Sequence, residues 1–85
     1  MKLPIIKHLV TFIENNDEDF IIETIEVLEN LSELSSLKDA EIDLLGELIS
    51  NMYGALSVQK DIKAGKDSKT AVNDFMKRVL SAVGK

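Results

Sequence analysis

Between Asp39 and Ala64 the chain carries no proline, spaces its apolar residues at helical intervals and then closes on Gly65. Such a segment reads as one helix of about 39 Å, and whatever packs on it has to lie along it. Projected at about 100° per residue, Leu45, Leu48, Ile49, Met52 and Leu56 form the centre of one face, with Ile42, Leu44, Tyr53 and Ala55 on its flanks. With half its circumference apolar, this third helix is expected to be the central one. Its stripe gives way to Gln59, Lys60 and Lys63, so the last turns are expected to project beyond the core.

Three shorter helices are expected around it. The first starts at Pro4, a residue suited to the first helical position because its missing N–H needs no partner there. Ile5, Ile6, Leu9, Val10, Phe12 and Ile13 follow at helical spacing, and Asn16 or Asp17 can cap the next helix. Helix two runs from about Glu18 to Leu31, with Ile21, Ile25, Leu28 and Leu31 inside and Phe20 and Val27 widening that stripe. "LSELSSLKD" links it to helix three, with the Ser35 and Ser36 hydroxyls available to exposed amides. Helix four begins at Asp67 or Ser68 and buries Ala71, Val72, Phe75, Met76, Val79, Leu80 and Val83. Joints this short favour antiparallel neighbours. The expected fold is all-α: one domain over residues 1–85, a small bundle of four helices with a long central third helix.

Composition removes several classes of function. No cysteine is present, which excludes disulfides, thiolate metal sites and thiol chemistry in this chain and suggests a cytoplasmic setting for so small a domain. No segment is apolar for long enough to cross a membrane, and the N-terminus lacks the apolar core and cleavage site of a secretory signal. The net charge is −5, and its distribution says more than its sum. Twelve acids and one base lie between Glu14 and Glu47, whereas seven bases and three acids lie from Lys60 to Lys85. Nucleic acid is therefore not an expected partner, since the few tail lysines lack interleaved aromatics and stand beside many acids.

On helix two, Asp19, Glu23, Glu26, Asn30 and Glu33 follow steps of four and three and form an acidic ridge, expected to face solvent or a partner. Along helix three, Gly46, Ser50 and Gly54 stand one above another, with Ser57 continuing the strip. Each glycine inside a helix costs about 0.8–1 kcal/mol relative to alanine, so two of them imply a close approach by another backbone. That backbone is expected to belong to helix one or four of the same chain. A homodimer seam is the alternative, and a ligand notch using Asn51 and Tyr53 is a third reading.

No catalytic or metal motif appears. His8 is the sole histidine and has no partner at ligand spacing. "NNDED" lacks the alternation of a calcium loop, and "AGKDSKTA" is too short for a phosphate loop. No cofactor is expected.

Three stretches, "KLPIIKHLVTFIENNDEDFIIETIEVLENLSEL", "LGELISNMYGAL" and "FMKRVL", resemble a family of short bacterial proteins labelled as a domain of unknown function. The resemblance implies an all-helical cytoplasmic protein. Relatives encoded near thioredoxin-like and peroxiredoxin-like proteins imply an accessory role in thiol redox defence. The expected function is thus non-enzymatic, through contacts with another protein or with a second copy, using Asp19, Glu23, Glu26 and Glu33 for steering and Gly46, Ser50, Gly54 and Ser57 for close contact. The competing expectation is a small-ligand protein or enzyme with a pocket around Asn51, Tyr53 and His8.

Overall fold

A computed structural model of the chain describes the backbone of residues 2–83 and the side chains of residues 2–80. Four helices follow one another, α1 (Leu3–Asn15), α2 (Asp19–Leu31), α3 (Asp39–Lys63) and α4 (Ser68–Val83), with no strand among the described residues. Each boundary has a local cause. Pro4 sits in the first turn of α1, and the Asp17 carboxylate accepts the Asp19 N–H at 2.9 Å to open α2. Glu41 reaches back to the Lys38 N–H at 2.9 Å at the start of α3, and Asp67 accepts the Thr70 N–H at 2.7 Å at the start of α4.

The end of α3 is a Schellman turn: Gly65 adopts φ +113° while its N–H reaches the Ile62 carbonyl and the Lys66 N–H reaches that of Asp61. The left-handed backbone there is why glycine stands at this position. By contrast, the Ser35 and Ser36 hydroxyls cap nothing among the described residues, and the α2–α3 link is held instead by backbone bonds such as Leu37 N–H to the Leu34 carbonyl.

All three shorter helices pack on α3. α1 runs in the same direction as α3, since the Lys2 N–H meets Asn51 at 2.8 Å and Ile6 lies against Gly54. α2 runs opposite to it, with Glu18 near Lys63 and Glu29 near Tyr53. α4 folds back so that Phe75 also reaches Gly54. The Cα envelope measures 43 × 35 × 17 Å, a slab about two helix layers deep.

The core consists of Ile6, Val10 and Ile13 from α1, Ile21 and Ile25 from α2, Ala55 and Val58 from α3, and Ala71, Val72 and Phe75 from α4. Three expectations are corrected. The buried positions of α3 are Leu45, Asn51, Gly54, Ala55, Val58 and Gln59, so of the expected central face Leu45 is buried whereas Leu48, Ile49, Met52 and Leu56 are only partly so. The expected face follows the largest side chains, but α1 and α4 approach along small residues. Nor do the last turns of α3 project from the core: it is the first turns that do, where Ile42 and Leu44 are exposed. On α2, Phe20 and Val27 lie in solvent instead of widening the inner stripe, and Leu31, expected within that stripe, is exposed as well.

Candidate functional site

The strip of small residues divides into a buried end and an open end. A Cβ on Gly54 would stand 3.1 Å from the Phe75 ring and 3.2 Å from Ile6 Cδ1, so here a glycine lets α1 and α4 both close on α3. At Gly54 the close approach is thus made by side chains of the same chain and not by another backbone. Gly46, two turns earlier, is exposed and would meet nothing within 4 Å. Ser50 is half-buried, and the half-buried Ser57 accepts an N–H from Arg78 at 3.4 Å. Arg78 also approaches Asp61 at 3.3 Å and lies 5.9 Å from the Phe75 ring centre, so the tail's positive charge is partly used in holding α4.

Asn51, Tyr53 and His8 are not brought together. Asn51 is fully buried. Its Oδ1 accepts the Lys2 N–H at 2.8 Å, and its Nδ2 donates to the Glu47 carbonyl at 2.8 Å. Leaving such a buried amide unpaired would cost about 1–3 kcal/mol. Asn51 therefore acts structurally, tying the start of α1 to α3. Tyr53 points the other way, half-exposed, with its hydroxyl 3.4 Å from both oxygens of Glu29. His8 is exposed on α1.

Tyr53 instead helps line a shallow groove of about 240 Å³ between α2 and α3, with Ile22, Ile25, Glu26, Glu29 and Leu56. Partial desolvation of the phenol, followed by the negative charge and hydrogen bonding of Glu29 and the charge of Glu26, raises its pKa above the ordinary 10. Glu26 belongs to the expected ridge. Glu29 does not, because a ridge traced along one helix takes no account of the facing tyrosine.

The ridge residues Asp19, Glu23, Glu26 and Glu33 are all exposed. Seven acids and no base lie between Asp17 and Glu33, and the one ion pair formed there with the tail is Glu18 to Lys63 at 3.4 Å among the described residues. Beside the ridge, about 100° round α2, runs an apolar seam. Phe20, Thr24, Val27 and Leu31 follow a four–three–four spacing, with Phe20 56%, Val27 64% and Leu31 42% exposed. Phe12 meets Phe20 edge-on at 6.1 Å and extends the seam onto α1. A single helix thus presents an acidic side and an apolar side, with its inner face held by α3.

Two further grooves border this region. One of about 550 Å³ lies between α1 and α4, floored by Val10 and Val72 and rimmed by Lys7, Glu14, Lys69 and Asn73. The other, of about 430 Å³, lies where the α1–α2 turn meets α3 and is lined by Ile13, Glu14, Asp17, Glu18, Gln59 and Lys63 among others. Gln59 is 7% exposed, and its Oε1 has no hydrogen-bond partner among the described residues. Among those residues no three His, Cys, Asp or Glu side chains are placed to share a metal ion, and no helix is long and apolar enough to cross a membrane.

Neither the curated proteins nor the solved structures offer a significant match to the chain. The match lies at the level of family: the model of a family of unknown function (DUF6952) covers residues 1–84, and the chain belongs to that family.

Proposed function

We propose that the protein is non-enzymatic and works through protein contacts, with the bare side of α2 as its docking face. The observation that carries this reading is the pairing of an exposed apolar seam (Phe20, Val27, Leu31) with an exposed acidic ridge (Asp19, Glu23, Glu26) on one helix, with Glu33 in the turn that follows it. Apolar contact supplies affinity, while the acids steer and select a partner whose own apolar strip is fringed by lysine or arginine.

An accessory role fits this surface better than self-pairing of α2. A second copy laid against the same face would bring carboxylates towards carboxylates and gain no base, because α2 contains none. In the thiol redox setting implied by the family resemblance, a chain without cysteine would hold or shield a cytoplasmic protein that carries the thiols itself.

The test is capture of binding proteins from lysate by the native chain and by the double variant Glu23→Lys, Glu26→Lys, at low and high salt, with light scattering of the eluate. The reading expects a defined partner that the native chain retains at low salt, that salt releases, and that the variant fails to hold. Equal capture by both forms at both salt concentrations would remove the ridge from the function, and an eluate containing only dimer of the bait would replace the accessory role with self-association.

A further inference from the structure

Gln59 lines a groove in which acids outnumber bases, and its carbonyl oxygen, shut off from solvent, has unused hydrogen-bonding capacity. Its side chain is more than nine-tenths buried, and its carbonyl oxygen has no donor among the described residues. The groove it lines opens between α3 and the α1–α2 turn, with Ile13 as an apolar wall and the carboxylates of Glu14, Asp17 and Glu18 around it. Lys63 is the only base in the lining, and it pairs with Glu18 through an exposed contact of 3.4 Å. Three acids against one base leave the groove negative, and what Gln59 lacks is a donor.

We propose that this groove receives one arginine side chain from a protein partner. Its guanidinium would donate to the Gln59 carbonyl while facing the carboxylates of Glu14, Asp17 and Glu18, and its aliphatic stem would lie along Ile13. A guanidinium suits the place because its planar fork offers several donors at once and sheds water more readily than an ammonium. Rotation about the last torsion of glutamine is soft, so the amide can turn its oxygen towards the incoming group. The Lys63–Glu18 pair is exposed enough to open.

The inference deepens the proposed function, resting on the chain having a protein partner, and it adds a specific anchor to a charged surface. The groove adjoins the ridge where Asp17 and Glu18 lead into Asp19, so an arginine seated there would place the rest of its chain at the start of α2.

The ¹⁵N-labelled full chain would be titrated with N-acetyl-arginine amide and, as a neutral isostere, with N-acetyl-citrulline amide. The proposal expects a saturable shift of the Gln59 side-chain amide and of the Asp17 and Glu18 backbone signals with the arginine compound alone. Gln59→Leu should abolish that response. Glu14→Gln, at an exposed position that leaves the fold unburdened, should weaken it about threefold.

An arginine response that persists in Gln59→Leu would overturn the proposal, as would one that citrulline reproduces. So would a non-saturating drift spread over all the acidic residues. The double variant Glu23→Lys, Glu26→Lys separates the two readings, because it should lose partner capture while keeping the arginine response. Loss of the pocket response with ridge-dependent capture intact would sink the arginine pocket alone.

Discussion

The two halves of α3 are put to opposite uses. From Asn51 to Ile62 the helix is enclosed by α1 and α4, and the contact is made by small or polar side chains: Asn51, Gly54, Ala55 and Val58. From Asp39 to Ser50 the side chains include the exposed Ile42 and Leu44, and α2, which packs along residues 53–63 on another side of α3, leaves Phe20, Val27 and Leu31 uncovered on its outer surface. Several large apolar groups thus stay open to solvent, while Gly54 and Ala55 let α1 and α4 close on the second half of α3. What holds the fold and what remains available for binding are therefore different residues, so stability and binding can be altered separately.

The largest expected effect is in the closed half. Ile6→Ala removes a fully buried side chain seated over Gly54 and should cost about 2–5 kcal/mol in denaturant unfolding. A loss under about 1 kcal/mol would show that α1 is not firmly docked. Gly54→Leu should follow, at about 1–3 kcal/mol or more from overpacking against Phe75 and Ile6, read as a fall in melting temperature. An unchanged melting temperature would break the claim that glycine is required there.

Gly46→Ala should move the other way, gaining about 0.5–1 kcal/mol from helix propensity at a site with open space around it. A loss on this substitution would mean that Gly46 meets something the single chain does not contain, and would point to a partner at that strip. Val27→Ser, at a position 64% exposed, should change stability by no more than about 0.5 kcal/mol while weakening partner capture. If it unfolds the protein, the open half is not as independent as the comparison holds.

The smallest effect is spectroscopic. The chain has one tyrosine and no tryptophan, so ultraviolet absorbance follows Tyr53 alone. Its phenol should ionise above the ordinary 10, and Glu29→Gln should bring the midpoint partway back, since desolvation remains. A phenol pKa raised on folding contributes stability below the unfolded value that is lost as pH rises through the folded one. Alkaline unfolding should therefore begin slightly earlier in the native chain than in the Glu29→Gln variant, whose phenol titrates closer to its ordinary value. A Tyr53 midpoint indifferent to Glu29 would separate the two residues.

The helices are legible because their ends are written in local chemistry. Pro4, Asp17 and Gly65 act on their own turns, and the sequence places all three where the structure uses them. The buried face of α3 is not legible from its periodicity, because burial there depends on three other helices and two of them approach along the smallest side chains. By its position in the helix, Asn51 suggests a ligand notch. Its partner is the backbone of Lys2, far away in the chain, and no spacing within α3 could announce it.

Asp19, Glu23 and Glu26 can be traced because one helix carries them, although α2 ends at Leu31 and leaves Glu33 in the turn beyond it, whereas Glu29 acquires its role from Tyr53 on another helix. Gln59 reads as the point where the stripe ends, yet it is buried with an orphaned oxygen. Followed by the charged Lys60 and Asp61, a glutamine carries no signal that distinguishes a fading face from a buried group.

The seat of Ile6 also bears on how the chain is made. At Gly54, Ile6 meets both α3 and Phe75 of α4, so the seat of α1 is complete only once α3 and residue 75 have been made. At roughly 5–20 residues per second, that wait lasts on the order of several seconds. Over that interval part of the apolar face of α1 stays uncovered, and the acids between Asp17 and Glu33 add like-charge repulsion between unfinished copies. The charge proposed to steer a partner would thus also oppose aggregation during synthesis.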